Sequence, residues 1–404
     1  MAAGTPGSSS GAFFGERGAQ LEKWASTRQP YLDNLKVVLI TAIIAIHAIL
    51  GYASTVEVWT YTELREVTLA PATEFVVFVL VSPFGFFLIA LLFLVAGLLT
   101  PSSLERKGTG RFVGDRLLRL GVPFVVYVLV IQPTLTYALE HPLGDAPGSY
   151  LAEYMGAERR LDTGPLWFVG VLLVFSVGYA GWDAWDFRRH PTRSSGLGTR
   201  PISFRALVLS ALVVAPASFS VRLVYPYGSE SGFTDLNFWE WPACIAVFAL
   251  GINASRHGWV TAVPDRLVRQ CRILTLFAVL VMATLLLIVG LVDAVDHAMG
   301  GLHWAAVAFA VVDAILTIFG SVWLLSVAQH RLDRRYRWGP LLSRSAYGAF
   351  ILQTLFLLGF AVALRPLGLP AEAKALVVAL GGVTCSFAAA WLLISRVPGA
   401  SRVI

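Results

Sequence analysis

The sequence predicts an all-α fold: a polytopic transmembrane helical bundle of about ten membrane-spanning helices, with the N- and C-termini cytoplasmic. Three observations carry that prediction. The 404-residue chain is 56% hydrophobic and only 14% charged, whereas a soluble domain carries about 25% charge. Its apolar residues gather in ten tracts, each close to the roughly 20 residues that cross a bilayer as a helix. If the N-terminus and every second loop are assigned to one face, that face holds 25 of the 31 lysines and arginines, the inward positive bias of a multi-pass protein.

Residues 1–28 are dominated by Gly, Ala and Ser and hold too little apolar surface to fold, so a disordered cytoplasmic tail is expected. The first apolar tract starts too late and runs too long for the core of a signal peptide. The tracts cover 34–54, 74–99, 117–139, 164–183, 205–225, 238–254, 273–293, 304–327, 345–364 and 375–395, the sixth being the shortest. They define a ten-helix membrane domain over 29–396, followed by a short cytoplasmic tail over 397–404. Six basic residues fall on the outer side: Arg65, Arg159, Arg160, Arg222, Arg365 and Lys374. Topology therefore accounts for the net charge of +6. The expected surroundings are the lipids of the plasma (inner) membrane, with no nucleic acid as partner.

Several functional classes lack their signatures. Cys244, Cys271 and Cys385 are too far apart for a disulfide scaffold or a zinc site. His297 and His303, near Asp293 and Asp296, are too loosely spaced to define a metal site, so no metal and no permanently bound cofactor is expected. There is no P-loop, GxSxG, HExxH or dinucleotide fingerprint. The internal repeat common among transporters is also absent.

Ionisable residues within spans are expensive and mark candidate sites. The first tract reads YLDNLKVVLITAIIAIHAIL. His47 lies about two-thirds of the way across, and an imidazole titrates near neutrality, as a general base must. Lys36 and His47 are 11 residues apart, about 16 Å along a helix and within about 20° of one face. Asp33 shares that face. A cation at the cytoplasmic mouth with an imidazole deeper on the same stripe suits a molecule with phosphates at one end and a reactive group on a long arm, as in a coenzyme A thioester. In RFVGDRLLRLGVP, Arg116 and Arg119 stand one turn apart with Arg111 just before them. Their guanidinium forks match phosphate oxygens, although inward anchoring alone also explains arginines there.

These motifs resemble the acyltransferase 3 family of integral membrane O-acyltransferases. YLDNLKVVLITAIIAIH is similar to the family's first-helix pattern, Arg116-Leu-Leu-Arg119 with Pro123 to its Arg-x-x-Arg motif, and Gly164-Pro165-Leu166-Trp167-Phe168-Val169 to the start of its fourth helix. FALGINASRHGWV (248–260) and VRLVYPYG (221–228) resemble segments of a subgroup. The resemblance implies an acyl-CoA donor, acetyl-CoA in the simplest case, on the cytoplasmic side. It also implies an acceptor hydroxyl on a carbohydrate, a lipid-linked sugar or a small molecule. Carried over, His47 with Asp33 forms the catalytic set, and Lys36, Arg111, Arg116 and Arg119 hold the donor phosphates. Lys36 stands where the family usually has Arg, which keeps the charge without the fork. In SAYGAFILQ (345–353), Gln353 and Phe350 replace the family's His and second Tyr, leaving Tyr347. Gln353 cannot take a proton near neutral pH, so the base is expected to be His47. Trp167, Arg222, Glu240, Tyr347 and Gln353 are the acceptor-side candidates, with Arg222 alternatively in an ion pair with Glu240 or Glu74. Two other readings compete: a transporter using His47 and mid-span Asp313 as a proton relay, and a catalytically inactive membrane homologue.

Overall fold

The computed structural model describes residues 29–54, 65–140, 162–189, 202–229 and 235–403. The segment 1–28, expected as a disordered tail, lies outside them. The described residues are helical with short connections and contain no strand. Ten long helices follow in order: α1 (Pro30–Leu50), α2 (Pro71–Lys107), α3 (Thr109–Ala138), α4 (Gly164–Arg189), α5 (Phe204–Arg222), α6 (Trp241–Arg256), α7 (Asp265–Leu291), α8 (Trp304–Arg331), α9 (Gly339–Leu364) and α10 (Ala371–Arg396). One-turn helices at Val295–Met299 and Ala400–Val403 complete them.

Among the described residues, nine of the ten are long and apolar enough to cross a membrane. The exception is the shortest expected tract. It forms α6, whose 16 residues extend about 24 Å, less than the roughly 30 Å of a hydrocarbon core. Several helices overrun their tracts at the arginine-rich end. α2 has 37 residues, about 55 Å, and α3 begins at Thr109 rather than near 117. A count of apolar residues stops at the interface, but Arg, Lys and Glu are good helix formers and carry the helix onward. α2 and α3 meet at Gly108, whose φ of +74° is open to glycine at little cost.

The outward surface is apolar, as lipid requires. Leu209, Leu212 and Val213 on α5, Ile273, Phe277 and Leu280 on α7, and Leu376 and Leu380 on α10 are all well exposed. Inside, an aromatic ladder links four helices. Phe350 of α9 meets Phe168 of α4 edge-on at 6.2 Å, and Phe168 meets Phe93 of α2 at 4.7 Å. Phe175 then joins Phe93 to Trp241 and Phe248 of α6. A smaller cluster, centred on Met282, Leu286, Phe309 and Leu316 with Phe87, packs α7 against α8.

The short α6 is held where two backbones touch. Gly97 of α2 and Gly251 of α6 lie back to back: a Cβ on Gly97 would stand 2.2 Å from the Phe248 carbonyl oxygen, and one on Gly251 2.3 Å from that of Leu94. Small residues allow this approach in membrane interiors, where packing rather than hydrophobic exclusion drives association. Gly97→Ala and Gly251→Ala are each expected to destabilise the protein by at least about 1–3 kcal/mol, because the clash is with backbone and cannot be relieved by a rotamer change. Gly359→Ala, with nothing within 4 Å of the added atom, is expected to be neutral or stabilising. Thermal unfolding of the three variants in detergent measures the contrast.

Candidate active site

The site is built where α1 and α9 run side by side. These helices share two polar contacts. Near the arginine-rich end, the Ser343 hydroxyl donates to Asp33 Oδ1 at 2.7 Å. Farther in, His47 Nδ1 lies 3.1 Å from Gln353 Oε1. Gln353 is buried and His47 half-buried. The orientation of the Gln353 amide follows from its other contact. Its Nε2 donates to the Phe350 carbonyl at 3.1 Å, and a carbonyl can only accept. Oε1 is thereby turned to His47, so Nδ1 carries the proton and the lone pair of the neutral ring sits on Nε2. Gln353 holds the imidazole in the tautomer a base needs, although it cannot be a base itself.

The arginine pair lies on an irregular stretch of α3. Residues Leu117–Gly121 and Tyr127–Ile131 are π-helical, a form concentrated at functional sites. Pro123 has no N–H, so the carbonyl four residues earlier, that of Arg119, lacks its α-helical donor. The Tyr347 hydroxyl of α9 supplies one at 2.8 Å. Tyr347, an acceptor-side candidate from sequence, thus serves as a brace between α9 and the Arg119 backbone. Arg116 is half-buried, with its guanidinium 5.0 Å from the Phe112 ring centre. Arg119 and Arg111 are exposed, and Arg119 is close enough to Arg116 for their charges to interact. Lys36 is half-buried on α1.

A second polar chain runs away from this pair. Thr354, next to Gln353, donates to the Tyr127 hydroxyl at 2.9 Å, and Tyr127 donates to Gln132 at 2.9 Å. The Gln132 amide donates to Asp162, whose other oxygen accepts from Gly164 N at 2.7 Å. Sequence reasoning missed Ser343, Tyr127, Gln132, Asp162 and Thr354. Polar residues inside α3 and α9 were the available signal, but nothing in linear spacing pairs residues 227 or 310 positions apart.

The remaining candidates lie elsewhere. The Trp167 indole N–H faces the Asn237 carboxamide at 3.1 Å. Arg222 does not pair with Glu240 or Glu74. Its Nη2 donates to Asp313 Oδ2 at 2.6 Å, deep inside, and Glu74 instead accepts from Ser54 at 2.7 Å. Asp313 is 91 positions away in sequence, beyond α6 and α7, which hid it as the partner. The Arg222 guanidinium lies 5.2 Å from each of the Tyr227 and Phe309 ring centres, against two rings that themselves meet edge-on at 5.5 Å. Glu240 is near enough to feel both charges, and Cys244 Sγ lies 4.0 Å from its carboxylate. This group packs at the α7–α8 cluster, apart from the His47–Gln353 pair.

The acyltransferase domain model of the acyltransferase 3 family matches residues 29–395. Neither the curated proteins nor the solved structures contain a match.

Removing one partner of the Arg222–Asp313 pair leaves a buried charge alone. Asp313→Ala is expected to cost about 3–5 kcal/mol, and the double change Arg222→Met with Asp313→Leu to recover most of it. Unfolding midpoints of the single and double variants decide the matter. A double variant no better than Asp313→Ala would show that the pair does more than neutralise itself.

Proposed function

The chain belongs to the acyltransferase 3 family and is a multi-pass membrane acyltransferase; on that premise we propose that it transfers an acyl group, acetyl in the simplest case, from acyl-CoA on the cytoplasmic side to a hydroxyl of a glycan, lipid-linked sugar or small molecule. The site of action is the plasma (inner) membrane. The observation that carries this reading is the His47–Gln353 pair, which leaves one imidazole nitrogen basic inside an apolar bundle.

In this mechanism His47 Nε2 takes the proton of the acceptor hydroxyl. The oxygen attacks the thioester carbonyl and a tetrahedral intermediate forms. It collapses to the ester as the carbon–sulfur bond breaks, and the imidazolium returns the proton to the departing coenzyme A thiolate. Atoms and charge balance without a further reactant. Arg116, Arg119, Arg111 and Lys36 hold the donor phosphates at the arginine-rich end. The brace from Tyr347 to the Arg119 carbonyl keeps that end in register with α9, which carries Gln353. Asp33, held by Ser343, fixes the same two helices to one another at the donor end. The engagement of Asp313 with Arg222 weighs against a relay from His47 to a free Asp313.

Membranes containing the wild type, His47→Ala or no protein, given acyl-labelled acetyl-CoA, test the reading. Label is expected in a glycan, lipid or small-molecule fraction with wild type only, and His47→Ala should lower the rate at least about 10²-fold. Full activity in that variant sinks the assignment. Gln353→Leu should reduce kcat while leaving the KM for acyl-CoA nearly unchanged, since it disturbs the tautomer and not the donor.

The arginines should show the opposite split. Arg116→Ala and Arg119→Ala are expected to raise the KM for acyl-CoA by about tenfold or more, with kcat less affected. Lysine in their place should rescue only part, because it lacks the fork. Steady-state kinetics over a range of acyl-CoA concentrations separates the two parameters.

A further inference from the structure

At the end of the bundle opposite the arginine pair, where α9 turns into α10, there is a pocket of about 620 Å³, within the range of small-ligand sites. One wall is the turn Pro366–Pro370; the charged residues of its lining are Glu66, Arg365 and Lys374. Lys374 is 1% exposed and sits in the first turn of α10, where the helix dipole disfavours a cation. Its ammonium is satisfied by Glu66 Oε1 at 2.5 Å and by the Arg365 carbonyl at 3.5 Å.

Glu66 lies just before α2, and the described residues 65–70 are held by hydrogen bonds beside the pocket. Leu69 N donates to the Tyr52 carbonyl at 2.9 Å, Ala70 N donates to Glu372 Oε1 at 2.9 Å, and the Arg65 guanidinium donates to the Ala53 carbonyl. The Glu66–Lys374 pair is neutral as a unit. Arg365 is exposed and has no side-chain partner among the described residues. The pocket therefore keeps one positive charge.

Packing fixes its depth relative to His47. Gly382 of α10 lies against Ile44 of α1, a Cβ there standing 3.8 Å from the Ile44 side chain. From that level His47 is three residues farther along α1, about 4.5 Å, and Lys374 is eight residues back along α10, about 12 Å in the same direction. The Lys374 backbone thus lies roughly 7–8 Å beyond that of His47 along the bundle axis. With the about 8–10 Å between packed helices, the two Cα atoms are about 12 Å apart, a gap that the two side chains and a phosphorylated sugar can bridge.

Resting on the acyl-transfer reading above, we infer that this pocket binds a phosphate ester on the acceptor, through Arg365 and Lys374, while the hydroxyl to be acylated reaches toward His47. The acceptor is then a phosphorylated molecule, and the same phosphate chemistry arises from a soluble sugar phosphate or from a lipid headgroup.

The test reads binding and needs no turnover. Full-length protein in phosphatidylcholine nanodiscs is titrated with glucose 1-phosphate and followed by phosphorus NMR. In a second arm, nanodiscs in which one lipid in five is phosphatidylglycerol are examined by native mass spectrometry for retained anionic lipid. Binding in the first arm identifies a soluble phosphate, and retention in the second a headgroup. Arg365→Gln is expected to weaken whichever signal appears by about tenfold, and Arg365→Lys to restore part of it. Arg365 is exposed, so neither change threatens the fold. Glu66→Gln should strengthen binding, because it removes the negative charge of the pocket. Wild-type protein that binds phosphate but transfers no acyl group would defeat the acyl-transfer reading alone and leave this inference standing. No signal in either arm, or equal signals from wild type and Arg365→Gln, overturns the inference.

Discussion

The arrangement depends on one constraint: a polar group inside a membrane protein must find its partner within the protein. The His47–Gln353 contact satisfies that constraint for the two most consequential side chains in the interior. It needs α1 and α9 at a fixed rotation and a fixed register. The Asp33–Ser343 contact near the arginine-rich end sets the same register a second time. Two polar links between parallel helices determine both sliding and rotation, which apolar packing between Leu and Ile surfaces would leave loosely specified. α10 then packs onto both, with Gly382 against Leu357 of α9 and Ile44 of α1.

The donor end is tied to this frame through a defect. Pro123 deprives the Arg119 carbonyl of its helical partner, and Tyr347 takes up the vacancy. A regular helix would have offered α9 no acceptor on its backbone. The proline in the Arg-x-x-Arg segment and the tyrosine on α9 are therefore two halves of one device. It couples the arginine-bearing end of α3 to the helix that orients the imidazole.

How much of this was legible in the sequence varies with the physics of each feature. The spans were readable because lipid demands long apolar runs. α6 was marked out by its short tract, and only the structure shows why it is tolerated: Gly97 and Gly251 let it lie directly on α2. The stripe of Asp33, Lys36 and His47 on α1 was readable because it depends on helical period alone. The role of Gln353 was not. As a replacement for a titrating residue it looked like a loss, whereas its two hydrogen bonds make it the group that selects the tautomer. Asp313 was visible as an expensive buried carboxylate, but its partner Arg222 is 91 positions away, and charge alone pointed equally well to Glu240 and Glu74. Helix boundaries at the basic end failed for a simpler reason, since hydropathy ends at the interface and helices do not.

The ionic groups of the bundle divide by what surrounds them, and that division separates structure from function. Arg222 and Asp313 are both nearly buried and pair directly, with two aromatic rings against the guanidinium. Such a pair neutralises itself and adds little net stability, while either member alone would be costly. Lys374 and Glu66 also pair, but Glu66 is partly exposed and the pair borders an open pocket. Arg116 and Arg119 form the third case, two like charges held side by side. The Asp115 carboxylate interacts with both and offsets part of their repulsion. A closed pair, an open pair and a pair of like charges thus stand in one bundle, and the last two lie toward opposite ends of it.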